Sequence, residues 1–340
     1  MDSECLQDCE SCIASFYKKL LYLKERHTNE YTGTQDFRVY LFTRLPSLPP
    51  YGIGGSRPGA YDFIDFLKAS GQIYGRFCRL DRPVSGDSPY QSFSAFAGQS
   101  LLISPDDLVD LELITKDDLY PIPEFDAAKV DYGAVLNYKN ALFKKAFQTF
   151  HHTPNKFLLE EFDDFCLENK KWLSDYSVFM ACKDAHEGRS WQEWDDEMTT
   201  PTAKVRLAFE TEYKEQIKYY KFIQFLFFRE WMKLKKYANE ADIEIIGDIP
   251  FFRIFRQCRC LGKQRALSAR YERSSASGCR SSARLFQCNR TALGQSALRL
   301  EHHEADGYSW WIDRIKMQMK LTNYLRIDIS AASSLLVRTG

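Results

Sequence analysis

The 340-residue chain has no long apolar run, no net charge and no second cysteine pair at metal-binding spacing, and each lack removes a class of function. Without a stretch apolar enough to cross a bilayer, and with the acidic, polar start MDSECLQDCESC, the sequence offers neither a membrane span nor a secretory leader. A cytoplasmic protein that does not engage membranes is therefore expected. Lys plus Arg and Asp plus Glu both total 46, so no global field gathers nucleic acid or an anionic surface. Of the ten cysteines only Cys5, Cys9 and Cys12 cluster near the start, without a partner pair at zinc spacing, and they read as free thiols. Cys258 and Cys260 form a bare Cys-x-Cys.

What is abundant is aromatic: Phe, Trp and Tyr make up 15% of the chain. Such rings are core, or they are platforms for flat ligands such as sugars. The length suits one large α/β domain or two ordinary ones. Helical spacing in "AYDFIDFLKAS" puts Phe63, Ile64, Phe66 and Leu67 on one face, the pattern of a helix laid on a sheet. "IEIIGDIP", from Ile243 to Pro250, is a short β-branched run that reads as a buried parallel strand with a polar C-terminal end. "NYLRIDIS", from Asn323 to Ser330, repeats that design with Arg326 and Asp328, and a helix over Gly307–Leu321 precedes it. Aspartates at the C-terminal ends of parallel strands are where barrel enzymes place their chemistry.

Between these strands runs a long helical section: "VLNYKNALFKKAFQTF", "FDDFCLENKKWLSDYSVFMACKDA" and "EQIKYYKFIQFLFFREWMKLKKYANE". It exceeds one crossover helix, so an inserted helical subdomain is expected, with the stripe Tyr219, Phe222, Phe225, Phe228 and Trp231 as helix packing.

The segments "LPPYGIG", "AYDFIDFLKASGQIY", "GDSPYQSFSAFAG", "FCLENKKWLSDYSVFMACKD", "FIQFLFFREW", "YANEADIEIIGDIPFF" and "ADGYSWWIDRIKMQMKLTNYLRID" carry a resemblance. In order and spacing, over roughly residues 45 to 328, they resemble the amylomaltase family, the 4-α-glucanotransferases or disproportionating enzymes. The resemblance implies an α/β fold, a (β/α)8 TIM-type barrel with a helical insertion, of which about the first four strands are present. It implies transfer of α-1,4-glucan segments to glucose or maltooligosaccharide acceptors by a retaining double displacement, without a cofactor. Asp328 in "RID" matches the family's nucleophile, and Arg326 the arginine that holds it ionised and oriented. Asp248 in "GDIP" matches the family's acid after the third strand. Tyr90 in "SPYQ", with Ser88 beside it, matches the loop lining the donor subsites.

The departures from the family pattern are as informative. After "GQIY" the family reads close to Trp-Glu-Val-Leu-Pro-Leu-Gly-Pro-Thr-Gly-Phe, whereas Gly75–Ser85 reads "GRFCRLDRPVS". With a codon choice that degeneracy allows, dropping one nucleotide after the Tyr74 codon converts the first into the second, and a frame slip is the expected cause. Arg253–Leu300 can be written in codons that, read one nucleotide later, give Ala-Tyr-Ser-Asp-Ser-Ala-Asp-Val-Trp-Ala, and Ser282–Ser296 in codons that give the acceptor loop the resemblance implies. After Asp328 the pattern is lost again, and the family's acid/base glutamate lies C-terminal to "RID", so the chain as written is expected to be inactive. The expected organisation is an unassigned extension over 1–36, the start of a catalytic barrel over 37–90, and a helical insertion with barrel helices over 91–240. The third barrel strand follows over 241–252, an out-of-frame segment over 253–300, a barrel helix and fourth strand over 301–328, and an out-of-frame end over 329–340.

Two other readings stand beside glucan transfer. One is an inert or maltooligosaccharide-binding remnant of that enzyme. The other takes Arg253–Leu300 at face value, where ten Arg and Lys263 face Glu272 alone, as an arginine-rich nucleic-acid segment. A frame slip accounts for the basic run, for Cys258, Cys260, Cys279 and Cys288, and for the lost pattern with one cause, so no nucleic-acid partner is expected.

Overall fold

The computed structural model describes residues 40–41, 51–53, 59–76, 93–126, 130–153, 155–189, 193–194, 198, 201–250, 253–254, 295–296, 307–330 and 333–338. For the strand residues 40–41, 250, 253–254, 295–296 and 327–338 the description is of the backbone. In chain order the elements are β1 (Tyr40–Leu41), α1 (Gly59–Ala69), β2 (Tyr74–Arg76), α2 (Pro105–Asp110) and α3 (Tyr132–His152). Then come α4 (Lys156–Glu168), α5 (Lys170–Ala185), α6 (Ala203–Glu212), α7 (Lys214–Glu240) and β3 (Glu244–Pro250). After them stand β4 (Arg253–Ile254), β5 (Gln295–Ser296), α8 (Ser309–Leu321), β6 (Tyr324–Ser330) and β7 (Ser333–Arg338).

The five strands β1, β2, β3, β6 and β7 lie side by side in that order. β1, β2, β3 and β6 run parallel, with Tyr74 opposite Glu244 and Asp248 opposite Arg326. The two runs singled out as buried parallel strands are thus neighbours, and Ile245, Ile246, Ile249 and Leu325 are buried as their apolar character requires. β7 pairs antiparallel with β6 on its outer side, and among the described residues the sheet is open rather than a closed barrel. Arg253–Leu300 lies outside the described residues except for the paired dipeptides β4 and β5.

Helix α7 is the keel of the molecule. Phe222 and Phe225–Phe228 are buried along it, with Trp231, Leu234 and Ala238, while Tyr219 packs at the margin. The aromatic stripe is helix packing: Phe222 stacks on Phe150 of α3 at 4.7 Å, and Phe225 meets Phe162 of α4 edge-on at 5.7 Å. The chain leaves α7 through Asp242 at φ 63°, where the Ile243 amide donates to Ala238 O, and so enters β3 directly. β3 is then tied to its neighbour by Asn323, whose Oδ1 accepts from the Ile245 amide at 3.0 Å.

Two local expectations are refined. Phe66 does not share the buried face of α1: Ile64 and Leu67 are buried, Phe63 is half-buried and Phe66 is exposed. The buried line of the helix is Ala60, Ile64 and Leu67 at i, i+4 and i+7, and Phe66 stands about 100° around the helix from Leu67, outside it. The segment "FDDFCLENKKWLSDYSVFMACKDA" is two helices, not one. Asn169 breaks it: its Nδ2 donates to Phe165 O and its Oδ1 accepts from Trp172 Nε1, ending α4 and starting α5.

Candidate active site

The motif "GDSPYQSFSAFAG" has two halves of different character. Ser88 and Tyr90 lie outside the described residues. The second half, Phe93–Gly98, is almost wholly buried. Ser94 Oγ accepts from the amides of Phe96 and Ala97, folding the backbone into a tight local turn. Phe93 packs with Phe179, and Ala95 sits in a cluster with Ile249, Trp310 and Leu325 under the ends of β3 and β6. The small residues are required by space. A Cβ on Gly98 would stand 2.0 Å from the Phe227 ring, so only glycine lets the chain lie flat on α7.

Polar groups buried in α7 and α3 then grip this backbone. Gln224 accepts from the Gly98 amide at 2.8 Å and donates to Gly98 O at 3.2 Å, satisfying both groups at once. Glu230 accepts from the Ser104 amide at 3.0 Å. Lys139, fully buried on α3, donates to Leu101 O at 2.6 Å and Ile103 O at 2.9 Å. Burial pushes the Lys139 amine down to about 7, against the opposing pull of the Glu230 and Asp106 carboxylates. None of these three was singled out in the sequence. The trace was present for two of them, because Gln224 and Glu230 interrupt an otherwise apolar helix face six residues apart.

Within the parallel pair β3 and β6 the sequence-derived aspartate and arginine come together. Asp248 and Arg326 are register partners on β3 and β6, and Arg326 NH1 donates to Asp248 Oδ2 at 3.1 Å. A second guanidinium, Arg76 at the end of β2, donates from NH2 to the same oxygen at 2.9 Å. The Asp248 side chain is only 1% exposed between them. Arg76 was read only as part of the departing interval, and no motif pointed to its role. Asp328 is described by its backbone, two residues beyond Arg326 on β6 and opposite Pro250 of β3. Gly247, beside Asp248, leaves no room for a side chain either, since a Cβ would come within 2.6 Å of Thr322 Cγ2.

Away from the strand ends, a cleft of about 490 Å³ opens between α3, α5 and α7, lined by Phe93, Asn140, Tyr176, Lys183, Tyr219 and Tyr220 among others. Among the described residues, Phe93 links it to the motif. Among the described residues no group of His, Cys, Asp and Glu is placed to hold a metal ion, and no helix is long and apolar enough to cross a membrane. Cys166 and Cys182 are free thiols whose pKa values burial pushes up to about 11 and about 12, so they are unreactive.

Comparison with known proteins bears on this geometry. The sequence model of the 4-alpha-glucanotransferase family matches residues 42–329. The 4-alpha-glucanotransferase of Clostridium butyricum is 37% identical over 291 residues, covering 84% of this chain and 58% of the relative. That of Aquifex aeolicus is 34% identical over 289 residues, covering 84% of this chain and 57% of its own length. The chain therefore spans little more than half the length of these curated relatives. Among solved structures, the amylomaltase from Streptococcus agalactiae in complex with acarbose superposes with a TM-score of 0.80 at 30% identity, covering 88% of this chain and 60% of that one.

Proposed function

Because the chain belongs to the 4-alpha-glucanotransferase family, we propose that its residues form part of a catalytic barrel that transfers α-1,4-glucan segments to glucose or a maltooligosaccharide. The observation that carries this reading is the in-register pairing of Asp248 with Arg326 on neighbouring parallel strands, with Asp328 two residues further toward the C-terminal end of β6. In the reaction the Asp328 carboxylate attacks the anomeric carbon of the donor and a carboxylic acid protonates the departing glycosidic oxygen. The 4-hydroxyl of the acceptor then displaces the enzyme, with its proton returned to the conjugate base of that acid. Arg326 keeps Asp328 ionised and oriented, Asp248 holds Arg326 in place at the floor of the site, and Ser88 and Tyr90 line the donor side. Acarbose, a maltooligosaccharide mimic, occupies the Streptococcus agalactiae relative, which supports an α-1,4-glucan as ligand.

Retaining transfer requires two carboxyl groups about 5 to 5.5 Å apart. In the family the proton donor follows "RID", and these 340 residues span 58% of the Clostridium relative. Whatever the proton donor, the reading requires that these residues recognise a maltooligosaccharide. The 340-residue polypeptide is expected to bind maltotetraose and to ignore cellotetraose, as read by calorimetric titration. Equal binding of both tetrasaccharides, or of neither, would overturn the reading.

A further inference from the structure

We propose that Arg76 is a lock on Asp248, holding the carboxylate closed to sugar hydroxyls, and that an uncharged side chain at this position opens it. The inference rests on the glucan reading of the site and adds a residue that sets its affinity.

The geometry separates the two arginines. Arg326 stands directly opposite Asp248 in the parallel register and reaches both carboxylate oxygens, at 3.1 Å and 3.5 Å. Arg76 stands opposite Ile246, two residues earlier, and extends along the strand end to place NH2 at 2.9 Å from Asp248 Oδ2. One oxygen thus receives two charged donors. The Asp248 side chain is 1% exposed, whereas those of Arg76 and Arg326 are 23% and 29% exposed.

Arg76 is also the less settled partner. Its Nε is buried and has no hydrogen-bond partner among the described residues. A buried, unmade hydrogen bond offsets much of what the ion pair contributes, so removing the side chain is compatible with the fold. Asp248 keeps the in-register Arg326 when Arg76 is gone. What changes is access. A neutral sugar hydroxyl does not displace a guanidinium from a carboxylate, because a charge-assisted hydrogen bond is roughly twice as strong as a neutral one. With the oxygen freed at the ligand-facing end of the sheet, a pyranose hydroxyl can donate to it. The position has a sequence counterpart: Arg76 falls in Gly75–Ser85, the interval that departs from the family resemblance, so the lock belongs to this chain rather than to the family pattern.

The test is maltotetraose titration of the full 340-residue chain, wild type, Arg76→Gln, Arg76→Lys and the double variant Arg76→Gln with Asp248→Asn, with thermal unfolding recorded for each. R76Q is expected to bind about tenfold tighter than wild type, the worth of one added hydrogen bond to a charged group. R76K keeps a cation on the carboxylate and stays near wild type. The double variant loses the gain. Equal or weaker binding by R76Q, or loss of its cooperative unfolding, would overturn the lock. If wild type and R76Q bind alike, the lock alone falls; if neither binds maltotetraose, the glucan reading falls with it.

Discussion

At the scale of single residues, the polar groups that matter were those a sequence reader passes over. Lys139 looks like one of many helix-surface lysines in "NYKNALFKK", yet it is sealed beneath the 98–104 backbone. Its burial has a measurable sign. The folded protein holds this amine at about 7, whereas in the unfolded chain it titrates near 10.5. Between those values the unfolded state binds more protons than the folded one, so stability rises with pH across that window. Below pH 7 the full penalty is present, and above about 10.5 it is gone. Urea unfolding at pH 7 and pH 9.5 should show wild type gaining on Lys139→Met by on the order of 2 kcal/mol. The variant carries a fixed cost for the orphaned carbonyls but no proton. A difference that stays constant across that range would mean that Lys139 remains charged when buried. Asp248 and Arg326 were legible because strand alternation and the "GDIP" and "RID" signatures name them, while Arg76 was not, since its partner is 172 residues away.

At the scale of elements, the helices were legible from periodicity and their internal polar residues were not. The stripe on α7 announces a buried face, and the face is buried. What Gln224 does within it depends on Gly98, 126 residues earlier in the chain. The break at Asn169 was hidden for a similar reason, because a helix-compatible run on either side gives no turn signature, and only the side chain's bonds to Phe165 and Trp172 end one helix and begin the next. Gln224 offers a direct check on how α7 carries the motif. Gln224→Leu keeps the volume and removes both bonds, leaving the Gly98 N–H and C=O buried without partners. The cost should be about 1 to 3 kcal/mol in chemical denaturation. Hydrogen exchange at the Gly98 amide should accelerate while α7's own amides stay protected. Uniform acceleration across α7 would instead mark Gln224 as part of the helix core and not as the grip on Gly98.

At the scale of the whole molecule, β1, β2, β3 and β6 stand in parallel order, and β7 runs antiparallel against β6. In a closed parallel barrel the outer edge of β6 would pair with another parallel strand. Here that edge pairs antiparallel with Ser333–Arg338, from Tyr324 opposite Arg338 to Ser330 opposite Ser333, with a register shift between Asp328 and Ser330. The interval 329–340 was read as out of frame, and nothing in its composition foretold a strand. The pairing is explained by what it covers: a seven-residue strand with one free side presents a row of unpaired N–H and C=O groups, which any extended segment can occupy. Backbone groups carry no sequence preference, so even a segment foreign to the family can serve. We expect β7 to cover the β6 edge and to leave in its place a six-residue edge strand whose pairing is interrupted by a register shift, a poorer template for a second molecule. A chain ending at Ser330 should therefore shift toward larger species in light scattering, in a concentration-dependent way, while its helical signal in circular dichroism is retained. Replacing Leu335 and Val337 by proline, which cannot donate to the ladder, should produce the same association without shortening the chain. If both variants match the 340-residue chain in size at every concentration, β7 does not protect the edge, and the β6 backbone is shielded by something other than the strand paired with it.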